Sequence, residues 1–212
     1  LASCSGETEV VHPFKAYLAE PHPSYNYELQ STIEAETHTT YVIRMVSQEW
    51  LSDDLVSNPV WSHWLTVVVP DEVQHQTSML MIGGGSQNDD IPAEAHSIVL
   101  EAALSTGSIT AHLHNIPSQP LSFTDDNNVE RFEDEIIAYG WRKFLTGGAK
   151  DEVAVWLSRL PMTAASVRAM DTVSDFAASD LGMTVSNFMV TGASKRGWTA
   201  WTTAIFDERV IA

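Results

Sequence analysis

Residues 185–206 constrain this chain more than any other stretch. Val185-Ser186-Asn187-Phe188-Met189-Val190-Thr191 alternates and is rich in β-branched and aromatic residues, the pattern of a strand. Lys195 to Phe206 carries apolar residues at near-helical spacing. Between them Ser194 sits in Gly-x-Ser-x-x-Gly, which reads as a tight strand-to-helix turn. Such a turn lifts a hydroxyl clear of the sheet edge. It also points the N–H of the next residue, Lys195, at the place where an oxyanion would form. Flanking glycines suit it because strand and helix crowd each other there. The same pattern also serves as a helix cap or a phosphate cradle. Arg196 stands where a nucleophile turn usually carries glycine, which comes one residue later at Gly197.

A second glycine feature narrows the choice. The apolar strand Ser78-Met79-Leu80-Met81-Ile82 runs directly into Gly83-Gly84-Gly85-Ser86. In α/β-hydrolases a Gly-rich loop after an inner strand completes the oxyanion hole, and the N–H of Gly84 or Gly85 is placed to do so. Glycine lets the backbone approach a substrate oxygen with no Cβ in the way. The bland alternative is a turn whose glycines only supply positive φ. Phosphate binding is disfavoured, because no Gly-x-Gly-x-x-Gly or Gly-Lys-Ser/Thr follows. A strand leading into three glycines and a later strand leading into Gly-x-Ser are more specific together than either alone.

A triad acid and histidine would follow the serine in this scheme. All eight histidines precede Ser194, and Asp207 and Glu208 are the only acids after it. Asp207 lies in the turn after the elbow helix, a poor place for a triad acid. The expectation is therefore a triad absent, or completed beyond Ala212.

The chain has 212 residues, enough for one α/β domain with a sizeable core. A hydrophobic fraction of 44% makes it globular rather than disordered. The net charge of −17 argues against nucleic acid or anionic membrane surfaces as partners. The expected partner is a small-molecule or peptide substrate. The single cysteine, Cys4, excludes an internal disulfide framework and a cysteine-based zinc site. Leu1-Ala2-Ser3-Cys4 resembles a bacterial lipobox, which implies export and a lipid anchor on Cys4. No run of about 18 apolar residues is present.

Residues 1–24 read as this lipobox-like start and a proline-bearing linker, and residues 25–212 as the domain. Strands are expected over 25–36, 39–48, 63–69, 78–82, 108–115 and 185–190, with one more starting at 209. Helices are expected over 92–105, 130–145, 163–181 and 195–206, with Pro92 near the first turn of its helix. An antiparallel start followed by strands separated by helices gives an α/β class with a mostly parallel sheet, the N-terminal part of an α/β-hydrolase fold.

Other constellations have plainer readings. His112-x-His114 puts two imidazoles on one strand face without a third ligand, so solvated or core-edge histidines are expected and no metal. Asp125-Asp126-Asn127-Asn128 lacks the glycine and distal glutamate of a calcium loop and reads as a solvated turn. The seven tryptophans are expected mostly in the core or lining a groove. Lys195 and Arg196 either hold an anionic substrate group or form salt bridges to nearby acids. No organic cofactor is called for.

Several blocks together resemble the PhoPQ-activated pathogenicity-related protein family. They are Trp61-Ser62-His63-Trp64-Leu65-Thr66-Val67-Val68-Val69-Pro70, Ile82 to Ser86, Ile116 to Leu121, Glu133 to Trp141, Leu160 to Thr163, Arg168 to Val173, and Gly192-Ala193-Ser194-Lys195-Arg196-Gly197-Trp198. The resemblance covers roughly residues 10–212. It implies an α/β-hydrolase-like fold with Ser194 as the expected nucleophile, and it makes Arg196 a family feature. It also implies that this chain is the front portion of a longer protein. Relatives include secreted eukaryotic proteins that repress cell proliferation, so a non-catalytic binding or signalling role stands beside the hydrolase.

Overall fold

A computed structural model describes residues 11–212; Cys4 and the lipobox-like start lie outside the described residues. Strands β1 (Asn26–Glu34), β2 (His38–Glu49) and β3 (Val60–Pro70) form an antiparallel ribbon. β4 (Thr77–Ile82), β5 (Thr110–Leu113) and β6 (Asn187–Gly192) extend it into a six-stranded sheet of order β1-β2-β3-β5-β4-β6. β5 pairs antiparallel with β3, whereas β4 pairs parallel with both β5 and β6.

Parallel neighbours need crossover connections. Helix α2 (Ser97–Thr106) joins β4 to β5, and α3 (Glu133–Thr146) and α4 (Arg159–Ser179) lie between β5 and β6. Helix α5 (Lys195–Phe206) follows β6 directly.

The apolar run of β3 is explained by cover on both sides. Leu65, Val67 and Val69 join the main core, which also takes in Met162, Met170 and Phe176 of α4. Val68, between them, packs instead with Val99 and Ala103 of α2. Successive side chains point to opposite faces of a strand, so a strand buried on both faces loses its alternation. The class is α/β, as expected, with a mixed sheet whose antiparallel β1, β2 and β3 precede the parallel β5, β4 and β6.

Two boundaries moved for identifiable reasons. Residues 13–24, read as linker, include helix α1 (Pro13–Ala19), with Pro13 at its start, where a missing N–H costs nothing. Phe14 of α1 stacks on Phe206 of α5 at 4.9 Å, and Tyr17 packs against the main core. α2 begins at Ser97 rather than near Pro92, because His96 caps it by accepting the Ile98 N–H at 3.3 Å. Of the strand expected from 209, Val210 forms a single parallel bridge to Phe188. No helix among the described residues is long and apolar enough to cross a membrane.

Candidate active site

β4 and β6 lie side by side in register, with Ile82 opposite Gly192. Running parallel, they deliver the Gly83–Gly85 loop and the Ser194 turn to the same edge of the sheet. Ser194 is solvent-exposed and caps α5 with φ 54° and ψ −122°. That conformation costs a non-glycine residue about 1–3 kcal/mol and persists only where the surroundings enforce it.

The glycines around the turn do the enforcing. A Cβ added to Gly192 would lie 2.7 Å from the carbonyl carbon of Arg196, and one on Gly197 would lie 3.0 Å from the Gly192 oxygen. Strand and helix therefore touch at 192 and 197. The Arg196 backbone is part of that contact, but its side chain leads away from it, to Glu133 and Ile116 O.

The glycine loop is held by its carbonyls. Gly83 O accepts from the Ile116 N–H (3.1 Å), Gly84 O from the Asn115 N–H (2.8 Å) and Gly85 O from Gln119 Nε2 (2.6 Å). A trans peptide is planar, so each carbonyl fixed toward the 115–119 segment turns the next N–H away from it. The N–H groups of Gly84 and Gly85 are aimed this way, and no acceptor among the described residues takes them. The Gly83 N–H is bonded to Leu113 O. At the start of α5, Arg196 N–H bonds Ala193 O at 3.0 Å, whereas the Lys195 N–H occupies a first-turn position with no intrahelical acceptor.

The two cations of the turn are committed to protein acids. Buried Lys195 places Nζ 2.7 Å from Glu133 and 3.1 Å from Asp134. Arg196 Nη2 lies 2.5 Å from Glu133, and its Nε donates to Ile116 O. Arg196 and then Lys195, by hydrogen bonding, hold the Glu133 carboxyl down at about 2. Burial works against the Lys195 ammonium, but Glu133 and Asp134 outweigh it and its pKa is raised. Of the two roles open to Lys195 and Arg196, the structure selects salt bridges.

Arg159 supports the turn from behind. It donates to Lys195 O at 2.8 Å and lies 4.1 Å from the Trp198 ring centre, and burial brings its pKa down to about 10. Trp50 and Trp61 are core residues, but Trp198 and Trp201 are exposed by 49% and 74%. The two tryptophans beside the serine thus lie outside the core, and Trp201 lines a surface groove with Val190, Gly197 and Ala204.

Of the two places expected for them, His112 and His114 take the core edge: His112 is buried and His114 half-buried. Their rings lie 3.9 Å apart, with His96 5.1 Å from His112. Burial lowers His112 to about 3 and His114 to about 4. His112 fills the space beneath Gly83, where an added Cβ would come 2.0 Å from its Nε2. No group of three or more potential ligands among the described residues is arranged to hold a metal ion. Asp125 and Asp126 bond Tyr139, Lys143 and Arg131, so that turn is a structural ion-pair cluster. Asp207 is bonded to Arg209 at 2.7 Å.

Glu133, Gln119 and Arg159 carry the support of this site and were not singled out in the sequence. The available signal was the adjacent Lys195-Arg196 pair, which needs acids to be buried, and the acidic run at Glu133.

Comparison with known proteins fits this geometry. The chain is 39% identical over 201 residues to autocrine proliferation repressor protein A of Dictyostelium discoideum, covering 94% of this chain and 40% of that protein. Its fold is similar to acetyl xylan esterase 1 from Thermoanaerobacterium (TM-score 0.53, 14% identity, 93% of this chain and 54% of that one). It is also similar to an acetyl xylan esterase from Paenibacillus (TM-score 0.51, 17% identity, 93% and 54%). The scaffold is that of an α/β-hydrolase, and the chain spans 40% of its Dictyostelium relative and about half of these esterases. With a family model matching residues 14–212, the chain belongs to the PhoPQ-activated pathogenicity-related protein family.

Proposed function

We propose that this chain carries the nucleophile and the oxyanion hole of a serine hydrolase acting on an ester, amide or peptide carbonyl. The observation that carries this reading is the exposed, strained Ser194 in the turn after β6, beside the glycine loop whose Gly84 and Gly85 N–H groups are turned out and have no acceptor among the described residues. Ser194 Oγ attacks the carbonyl carbon and yields its proton to a histidine. The carbonyl oxygen gains charge, and the N–H groups of Lys195 and of Gly84 or Gly85 stabilise it. The tetrahedral species collapses to an acyl-serine and releases the leaving group with the proton. Water then hydrolyses the acyl-serine. The activating histidine and acid come from residues outside this sequence. No organic cofactor takes part. Export with a lipid on Cys4 fits the Leu1-Ala2-Ser3-Cys4 start.

A fluorophosphonate probe on the intact protein tests the assignment. Covalent label on Ser194, lost in Ser194→Ala, is expected; absence of label, or equal label on the variant, overturns it. The name of the Dictyostelium relative favours one second reading, a non-catalytic signalling protein on the same scaffold. An intact protein that folds and acts on cells equally well as Ser194→Ala selects that reading.

A further inference from the structure

Glu133 is tied to both halves of the oxyanion hole, directly to the elbow and through Gln119 to the glycine loop. Its carboxylate takes Lys195 Nζ on one oxygen and Arg196 Nη2 on the other, and these residues begin the helix that presents the first oxyanion donor. Its backbone N–H donates to Gln119 Oε1 at 2.7 Å. Gln119, itself buried, donates through Nε2 to Gly85 O, the last of the three anchored glycine carbonyls. A single chain of contacts therefore runs from the elbow helix, through Glu133 and Gln119, to the glycine loop. A parallel link runs from Arg196 Nε to Ile116 O, while the Ile116 N–H holds Gly83 O.

Local geometry marks Glu133 as a constrained position. It begins α3 with φ 45°, in the left-handed region that a glutamate rarely adopts. Helix α3 could begin with a relaxed residue here if capping were the only requirement. The positive φ presents the N–H to Gln119 while the side chain reaches the elbow. Gln119 is equally specific: its amide must accept from Glu133 and donate to Gly85, and only an amide side chain does both at that length.

We infer that Glu133 and Gln119 are positioning residues of the hydrolytic reaction, a clamp that fixes the spacing between the Lys195 N–H and the Gly84–Gly85 N–H groups. The inference rests on the hydrolase reading of Ser194. Oxyanion donors act only if they already sit at the position the charge will occupy, so a clamp on their separation acts on the transition state more than on substrate binding.

The test uses the intact protein with p-nitrophenyl acetate, and counts active sites by fluorophosphonate titration. Glu133→Gln keeps the shape but removes the charge that serves both cations. Gln119→Glu keeps the acceptor for the Glu133 N–H and loses the donor to Gly85 O. In both, kcat per titrated site is expected to fall about 10²-fold, as for loss of one oxyanion donor, with KM within about twofold. A role confined to folding would instead lower the number of titrated sites and leave the rate per site unchanged. If Glu133→Gln does not fold, Gln119→Glu alone decides. A per-site kcat within about twofold of wild type in the folded variants overturns the clamp and leaves the hydrolase reading standing. A wild-type protein that takes no label at Ser194 overturns both.

Discussion

Ile82 and Gly192 are register partners on the parallel strands β4 and β6. The relationship brings two turns together, because each residue is the last of its strand before a turn. The glycine loop follows one and Ser194 follows the other. A slip of one residue in either strand would reverse which side chains face the core. Buried Leu80, Ile82 and Phe188 hold the register against that.

Gly192→Ala is expected to strike this arrangement directly. The added methyl would meet the Arg196 backbone at 2.7 Å, and backbone cannot swing aside as a side chain does. A loss of about 1–3 kcal/mol follows from overpacking of this kind. Urea unfolding of the wild type and variant measures it as a lower midpoint.

Ser194→Gly is expected to stabilise the protein. Glycine accepts φ 54°, ψ −122° without the steric cost that serine bears. The added freedom of the unfolded chain offsets part of that relief, leaving a gain of about 1 kcal/mol. Ser194→Ala keeps the Cβ and gains nothing. Comparing the thermal midpoints of the two variants separates relief of strain from loss of the hydroxyl.

Gly83→Ala should be destabilising only while His112 is present. The new Cβ would fall 2.0 Å from His112 Nε2. In the double variant Gly83→Ala/His112→Ala that collision is gone, so the two losses do not add. A double-mutant cycle by denaturant titration should give a coupling of about 0.5–3 kcal/mol. Additive losses would show that the loop can move off the ring.

Acid should destabilise the fold in a window set by three histidines. Burial lowers His112 to about 3, and His63 and His114 to about 4, from an ordinary value of 6.5. Between those limits the unfolded chain binds protons that the folded chain refuses. Their contribution is therefore complete above pH 6.5 and is lost progressively as pH falls, through about 4 for His63 and His114 and about 3 for His112. Glu133, lowered from 4.5 to about 2, overlaps the lower end of that window: its contribution is complete above 4.5 and is lost as pH falls through 2. Thermal midpoints measured from about pH 7.5 down to about pH 4.5 should drop, and should drop less in His112→Gln.

The serine turn and the glycine loop were legible because their signals are local. A glycine placed by crowding announces itself within a few residues, as Gly192 and Gly197 do. The strands β2 and β3 were legible for the same reason, through dense β-branched residues. Helix α1 was not, because Pro13, Pro21 and Pro23 read as a linker when the first of them starts a helix. The bond from Glu133 to Lys195 spans 62 positions, and nothing near Glu133 separates it from a solvated acid. Its partners become visible only once the sheet has brought α3 to the end of β6. His112 was read as solvated or core-edge, and choosing between the two needed His96, at the start of α2, whose ring lies 5.1 Å from its own.

The Arg159–Trp198 stack gives the molecule a built-in optical division of labour. Trp50 and Trp61 are fully buried and emit from an apolar surround, whereas Trp198 lies half in water over a guanidinium. Loosening of the serine turn alone would alter the light from the exposed Trp198 and Trp201 and leave the two interior indoles unchanged. Local opening and global melting therefore carry separate colours in the same chain.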